Sequence, residues 1–530
     1  MTSSSWPPSL SEDELNILLE LATDYALANG LVYRPVAEPG SARPSTTSAI
    51  HAPYSLMPSP FPKSLYEQAL ELQPLYNALY AHVTVRDSFL EDVVGGTVAK
   101  VDEFQRKLYE IWIAVKSEGI SQPLHLGLFR SDYLIDAPRS EAQQATLKQV
   151  EFNTISSSFG CLSSKVADLH RYLARTGAYP DVAELQPDRI PRNPAVVGLA
   201  AGLAAAHRAY GSDSAVVLMV TQDDERNAFD QRPLEYELLN THSIRTLRIP
   251  LSALRTALTL SSTKQLFLTL PSTTKRPPIE ISVVYWRTGY SPDDYYTEQE
   301  WQTRLLIERS LAIKCPSIAL QLAGCKKVQQ VLAEPGQLDR FFECGTSRSK
   351  LDPPPVARLD ASAHKTPLES SFTNLYPLDD SALGRHALKL AYSEPQKYVL
   401  KPQREGGGNN VYREDIPAFL DELARLDERS TTGAGSSLKG REGYILMDLI
   451  TPPNAQSIMV KAGEGKGVVR EVISELGVYG VCLFKLDPAT QGAEVLINET
   501  VGTLLRTKGK DSNEGGVAVG FSVIDAVTLV

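Results

Sequence analysis

The residues from Lys401 to Asn410 read Lys-Pro-Gln-Arg-Glu-Gly-Gly-Gly-Asn-Asn. Gly406, Gly407 and Gly408 make a loop without side chains that can come close to a polyanion. Lys401 and Arg404 bring positive charge, and Glu405 can hold a divalent cation. Together they describe a loop that closes over the phosphates of a nucleotide. A Gly-Asn hairpin turn is the competing reading, but a turn has no need of the flanking charges. The motif is not a P-loop. Gly463-Glu-Gly-Lys466-Gly467 lacks the first glycine at the required spacing, and a glycine stands where Ser or Thr must hold magnesium. No strand leads into a Gly-x-Gly-x-x-Gly turn.

Glu151-Phe-Asn153 presents a carboxylate and an amide two residues apart. On a strand both point to one face and suit magnesium with bound phosphates. Ser156, Ser157 and Ser158 follow at once and open a helix, where hydroxyls and free N–H groups make an anion or carboxylate site. The same serines equally make a polar helix cap. Arg130 and Arg287 end predicted strands and are candidate carboxylate clamps, because an arginine fork binds a carboxylate through two hydrogen bonds. A surface ion pair is the plainer alternative for either. Glu225, Arg226, Asn227 and Gln231 also follow a strand, at the end where α/β proteins bind ligands. Lys326 and Lys327 begin a helix and, taken alone, read as solvated lysines. Arg506 and Lys508 precede Glu514-Gly-Gly-Val517-Ala518, two cations and a Gly-Gly turn that can close a pocket. Met447-Asp448-Leu449-Ile450 reads either as core or as a hinge strand offering backbone groups to a purine. No histidine falls in a metal or triad spacing, and no Gly-x-Ser-x-Gly elbow occurs. Phosphoryl transfer, which needs mainly positioning and charge neutralisation, fits these groups better than covalent catalysis.

The elements that must carry these residues follow from periodicity. Ser11 with Glu14 makes a capping box for a helix from Ser11 to Asn29, with Leu15, Leu18, Leu19 and Ala22 on its apolar face. Residues 31–62 read as a long loop or arm. Helical patterns cover 64–82, 86–118, 193–210 and two segments within 297–333. Short strands are expected at Leu124 to Phe129, Lys148 to Asn153, Ala215 to Thr221, Ser243 to Ile249, Gln265 to Leu270, Ile281 to Trp286 and Tyr398 to Lys401. Others lie near 443–450, 468–475 and 494–498. The alternation predicts an α/β fold with a largely parallel sheet. Stretches 346–370 and 427–442 read as surface excursions.

The chain has 530 residues, 42% hydrophobic, with a formal net charge of −10. That length allows several domain-sized units. The acidic balance argues against nucleic acid as a general partner. Five scattered cysteines without a Cys-x-x-Cys pair fit a reducing compartment and give no zinc signature. No targeting segment and no bilayer-spanning run are apparent, so the cytoplasm is the expected location.

Four motifs taken together resemble the eukaryotic glutathione synthetase family. They are Val150-Glu-Phe-Asn-Thr-Ile-Ser-Ser-Ser-Phe-Gly160, Leu322-Ala-Gly-Cys-Lys-Lys-Val-Gln-Gln330, Lys401 to Asn410, and Leu504-Leu-Arg-Thr-Lys508. The resemblance runs from about residue 10 to the end. It implies an ATP-grasp fold with a mostly parallel-sheet substrate-binding domain and a lid domain, a homodimer, and ligation of γ-glutamylcysteine to glycine with ATP and Mg2+. The implied division is 1–212 and 326–359 with 471–530 as the ATP-grasp core, 213–325 as the substrate-binding domain and 360–470 as the lid region. Position by position, it implies Glu151, Asn153 and Glu405 as magnesium ligands. It implies Glu151, Lys326, Lys401, Glu405, Gly406, Gly407, Gly408, Asn409, Asn410, Tyr412, Met447, Asp448, Leu449, Ile450, Glu475, Lys508 and Glu514 at the ATP site. The implied substrate site is Arg130, Ser156, Ser157, Ser158, Glu225, Arg226, Asn227, Gln231, Arg287, Tyr290, Arg506, Val517 and Ala518, with Arg506, Lys401 and Arg130 catalytic. Thr288 departs from the family's usual Asp, Glu514 from Asp, and Asp448 from Glu, and the 427–442 stretch is longer than in animal relatives. The alternatives are a catalytically silent relative, or a ligase that takes β-alanine or serine in place of glycine. The first would have lost a metal ligand or the loop lysine, and Glu151, Asn153, Glu405 and Lys401 are all present.

Overall fold

The computed structural model describes residues 6–37, 44–137, 143–270, 277–342, 359, 361–430, 439–464, 467–513, 516–517 and 520–530. Glu514 and Ala518, and most of the 346–370 stretch, lie outside these residues.

A 13-stranded sheet forms the body. Thr246–Pro250, Val216–Thr221, Ile279–Trp286, Ile313–Cys315 and Leu124–Asp136 run parallel to one another. The sheet is not largely parallel beyond that run. Val468–Asp487 and Gly492–Gly509 are joined by four residues, and so short a connection permits only antiparallel pairing. This long hairpin lies against Leu124–Asp136, which also pairs antiparallel with Thr146–Asn153. The sheet is therefore mixed, parallel at one end and antiparallel around its centre.

Alternate residues of the strands feed two cores. Phe129, Val478, Cys482 and Phe484 face one; Leu126, Leu128, Tyr479, Val481 and Leu483 face the other. Lys63–Val85 and Glu103–Glu118 cover the first face, and Glu12–Ala28, Gly160–Arg175, Ala195–Tyr210 and Ala228–His242 the second. The capping box forms as expected: Ser11 accepts from the Glu14 N–H and Glu14 accepts from the Ser11 N–H. In Lys63–Val85, Pro74 has no N–H for the Leu70 carbonyl four residues back. Thr500 supplies the missing donor, its hydroxyl lying 3.1 Å from that oxygen.

A second, four-stranded antiparallel sheet has the order Leu375–Pro377, Tyr444–Asp448, Tyr398–Pro402, Val411–Tyr412. Its strands alternate cleanly. Tyr398, Leu400 and Leu446 pack with Ala387, Ala391, Ile416 and Leu420 of two covering helices, whereas Val399, Ile445 and Met447 face the other way with Leu375.

Several local expectations change. The 86–118 pattern is broken at 91–102, where a π turn and a 3-10 turn precede Glu103–Glu118. The 297–333 stretch holds three helices, Glu298–Glu308, Ile318–Ala323 and Lys326–Leu332, with the strand Ile313–Cys315 between them. The arm at 31–62 carries short strands, of which Tyr54–Ser55 joins the large sheet. Helix Asp415–Ser430 takes the first residues of the supposed 427–442 excursion, and Ala361–Ser371 is helical within the supposed 346–370 excursion. Among the described residues no helix is long and apolar enough to cross a membrane.

His170 sits fully buried behind this sheet, 2.7 Å from Tyr179 Oη and 3.4 Å from Ser55 Oγ. Burial pushes its imidazole down to about 3. Below an unfolded value of about 6.5 the unfolded chain takes a proton that the fold refuses. Stability is thus fully present above that pH and falls as the pH drops towards 3, by about 2 kcal/mol at pH 5 from this group. Thermal melts at pH 7.5 and pH 5 should show a smaller acid shift for His170→Gln than for wild type. Equal shifts would mean that His170 does not carry the dependence.

Candidate active site

A cleft of about 490 Å³ opens between the large sheet and the small one. Among the described residues, every nominated site residue lines it except Ser157 and Gln231. Strand register explains much of this convergence. Arg130 lies opposite Asn153 on one neighbour and Tyr479 on the other; Asp132 lies opposite Glu151 and Gly477; Glu475 lies opposite Arg506. Residues two apart on a strand share a face, so four adjacent strands put these charges on one patch.

The patch is held by ion pairs. Asp132 Oδ1 accepts from Arg130 Nε at 2.6 Å, and Asp132 Oδ2 from Arg130 Nη2 at 2.8 Å, Arg506 Nη2 at 2.9 Å and Asn153 Nδ2 at 3.0 Å. Arg506 Nη2 also meets Glu475. Across the cleft, Lys326 Nζ lies 3.0 Å from Glu151 and 2.8 Å from Glu405. The two distances together cap the separation of those carboxylate oxygens at about 5.8 Å. Lys326 opens the helix Lys326–Leu332, a position where the helix dipole disfavours a cation, and the two glutamates offset that cost. Burial opposes the charge of Lys326, but Glu151 and Glu405 outweigh it and raise its pKa above the usual lysine range. Burial likewise opposes ionisation of Glu151, but Lys326, Lys401 and Arg506 hold its carboxyl well below the usual range. Glu405 is raised, by burial first and by its like-charged neighbour Glu151.

Glu151, Glu405 and Asn153 form a donor set that fits magnesium. Two carboxylates converge, and Asn153 commits its Nδ2 to Arg130 O and Asp132, which leaves its amide oxygen as the free end. Lys401 Nζ donates to Val150 O at 3.0 Å, and burial holds its ammonium below the usual lysine range. Gly406, Gly407 and Gly408 have φ of 93°, 75° and 78°. A Cβ on Gly406 would lie 3.3 Å from the Tyr290 ring, so the loop rests close against that side chain. The two asparagines that follow also line the cleft and brace the loop from within: Asn409 Nδ2 donates to Gly407 O at 2.8 Å, and Asn410 Nδ2 to Tyr412 Oη at 3.1 Å. Val399, Met447, Leu449, Ile450 and Tyr412 line an apolar slot beside it.

Several of the nominated groups already have internal partners. The N–H groups opening helix Gly160–Arg175 are not free: Asp230 accepts from Phe159, Cys161 and Leu162 at 2.8, 3.0 and 3.2 Å. Ser156 donates to Trp286 O, Ser157 to Asn153 O and Ser158 to Ser156 O. Arg287 donates through Nη2 alone, to Asp230 at 3.1 Å and Ser158 Oγ at 2.9 Å, whereas Arg130 meets Asp132 through both Nε and Nη2. Both arginines thus have internal carboxylate partners. Gln231 is buried between Glu225 and Arg248. The hinge N–H groups are in use: Asp448 donates to Asn374 O and Leu449 to Lys397 O. Thr288 is buried, and the carboxylate that organises its turn comes from Asp294, which accepts from Gly289, Tyr290 and Ser291. Lys327 is buried beside Gln330, not solvated. Sequence reasoning missed Asp132 and Asp230. The signal for the first was its spacing of two from Arg130 on one strand. Asp230 lay between the nominated Asn227 and Gln231.

Arg404 belongs to the glycine loop, but its charge is spent on Asp102, and its guanidinium lies 5.8 Å from the Phe104 ring. Asp102 also caps helix Glu103–Glu118 through the Gln105 N–H at 2.9 Å. Asp102→Asn keeps a good cap and removes the ion pair. Amide exchange across 401–410 should then quicken by about threefold or more, with Tm changed by no more than about 2 °C. Unchanged exchange would show that this pair does not tether the loop.

A family model described as eukaryotic glutathione synthase, ATP binding domain, matches residues 12–529. The chain is 38% identical over 523 residues to a glutathione synthetase of Homo sapiens, covering 98% of each. It is 37% identical over 516 residues to one of Xenopus laevis, covering 97% of each. A chloroplastic glutathione synthetase of Solanum lycopersicum is 39% identical over 481 residues, 91% of this chain and 78% of that one. Among solved structures, a glutathione synthetase-like effector from Globodera pallida in its apo form superposes with a TM-score of 0.69 at 22% identity, over 98% of this chain and 100% of that one, a likeness of fold. The chain belongs to the eukaryotic glutathione synthase family.

Proposed function

We propose that this cleft activates the cysteinyl carboxylate of γ-glutamylcysteine as an acyl phosphate and passes it to glycine. Membership of the family carries the overall activity: the chain is an ATP-dependent ligase that makes glutathione. The observation that supports the route is the convergence of Glu151 and Glu405 on Lys326 at the glycine loop, with Arg130 and Arg506 lining the same cleft. Lys326, Lys401, Arg130 and Arg506 are gathered there with Glu151, Glu405, Asp132 and Glu475.

In this reading the scaffold is an ATP-grasp fold. The small sheet is the lid, within 360–470; 213–325 is the substrate-binding part; the remainder is the core. The apolar slot of Val399, Met447, Leu449 and Ile450 takes the base. Lys401, Lys326 and the N–H groups of Gly406, Gly407, Gly408, Asn409 and Asn410 hold the phosphates, with Glu475 and Lys508 at the same end. Glu151, Asn153 and Glu405 would hold magnesium, which when bound supplies neutralisation of the phosphate charge. The cysteinyl carboxylate lies between Arg130 and Arg506 and attacks the γ-phosphorus; the bond to the bridging oxygen breaks and ADP leaves. The amine of glycine then attacks the acyl carbon, phosphate departs with one former carboxylate oxygen, and the amine releases its proton. Arg287, Tyr290, Ser156, Ser158 and Glu225 to Asn227 orient the peptide in the cleft that Val517 also lines. Tyr290 against Gly406 keeps water from the intermediate. A homodimer in the cytoplasm completes the proposal.

The test uses γ-glutamylcysteine labelled with oxygen-18 in its cysteinyl carboxylate. One labelled oxygen should appear in each phosphate released. Label retained wholly in the peptide, or a trapped phosphoenzyme, would overturn the route.

A further inference from the structure

We propose that Asp132 is a positioning residue that aims both arginines and the asparagine of the site, and that Gly477 is glycine to give it room. The inference rests on the substrate reading above. Asp132 is fully buried and does not line the cleft, so it touches no substrate. Its carboxylate nevertheless receives four hydrogen bonds from three residues that do line it: Arg130 twice, Arg506 and Asn153.

The geometry determines what each of them can still offer. Asp132 takes the Nε–Nη2 edge of Arg130, and the Ser158 carbonyl takes Nη1 at 3.2 Å. The guanidinium is therefore clamped in one plane, and only its outer N–H bonds point at the cleft. Arg506 gives Nη2 to the same carboxylate oxygen and to Glu475, so the two guanidiniums converge on one atom and face one point. Like charges brought together in this way repel, and the shared carboxylate makes the approach tolerable. Asn153 gives the same oxygen its Nδ2, which turns its amide oxygen outwards beside Glu151. One buried carboxylate thus sets the directions of two candidate carboxylate binders and one candidate metal donor.

Gly477 lies opposite Asp132 on the neighbouring strand. A Cβ there would stand 2.8 Å from Arg130 Cδ and 2.9 Å from Asp132 Oδ1, closer than side chains tolerate. Glycine has no conformational reason to be here, since its φ is not in the left-handed region and glycine weakens a strand. Its use is the space it leaves above the Arg130–Asp132 pair.

A merely structural ion pair makes a different prediction, because its loss lowers stability and leaves the kinetics of the folded fraction alone. The test measures steady-state kinetics of full-length Asp132→Asn and Gly477→Ala at saturating magnesium, per mole of folded protein, beside their Tm. For both variants the expected result is a KM for γ-glutamylcysteine raised about tenfold or more and a lowered kcat, with the KM for ATP within about twofold. Arg506→Lys should add much less to Asp132→Asn than it costs alone, because the two act as one unit. Gly477→Ala keeps every charge and carries the test if Asp132→Asn does not fold. Unchanged peptide KM and kcat in the folded variants, or an equal rise in both KM values, would overturn the inference. Failure of the wild-type chain to turn over γ-glutamylcysteine with glycine would instead overturn the substrate reading, which separates the two outcomes.

Discussion

Opposite charges packed where water is scarce are the constraint on which the structure depends. Lys326, Lys401, Arg130 and Arg506 are brought within reach of Glu151, Glu405, Asp132 and Glu475. Any one of these left alone would be costly, because a buried ion without a partner loses its hydration and gains nothing in return. Two groupings solve the problem. Asp132 and Glu475 satisfy the arginines of the large sheet, and Lys326 satisfies Glu151 from that sheet together with Glu405 from the glycine loop. The same logic explains why Lys326 begins a helix, against the dipole, and why a glycine faces Arg130.

The scaffold serves that arrangement from two directions. The long antiparallel hairpin supplies Glu475 and Arg506 in register, and its neighbours supply Arg130, Asp132, Glu151 and Asn153. Rigid strands suit groups whose directions matter. The small sheet contributes Lys401 and the glycine loop, and its own core of Ala387, Leu400, Ile416 and Leu446 lets it hold together as a unit. Contacts from the loop back to the body include Lys401 with Val150 O, Gln403 Oε1 with the Lys327 N–H, Arg404 with Asp102, Glu405 with Lys326, and Gly406 with Tyr290.

Strand existence is legible in the sequence because alternating apolar runs survive in any context; Leu124–Asp136 and Tyr398–Pro402 fall where the pattern puts them. Their lengths are not. The pattern ends the strand Val468–Asp487 near 475, but the strand runs on through Gly477 and Gly480, which the Cβ contacts show to be close-approach positions against Arg130 and Asn77. The mixed character of the sheet is hidden as well, since pairing direction follows from connection length and not from composition. Within the site, the motif residues stand out because their types are unusual together. Asp132 and Asp230 escape notice because a buried carboxylate that serves an arginine carries no local signature; it emerges only when strands and helices are folded together. For the same reason the arginines read as open clamps and the serine segment as an open anion site, when internal carboxylates already face them.

The central claim is that Lys326 holds Glu151 and Glu405 in the arrangement that magnesium and nucleotide later use. The most direct measurement is a crystal structure of the chain with ADP and manganese, the metal located by its anomalous signal. The account predicts a manganese peak between Glu151 and Glu405, with Asn153 directed at it and Lys326 drawn off the carboxylates towards the phosphates. A peak elsewhere, with the Lys326 bridge to both glutamates intact, would contradict it.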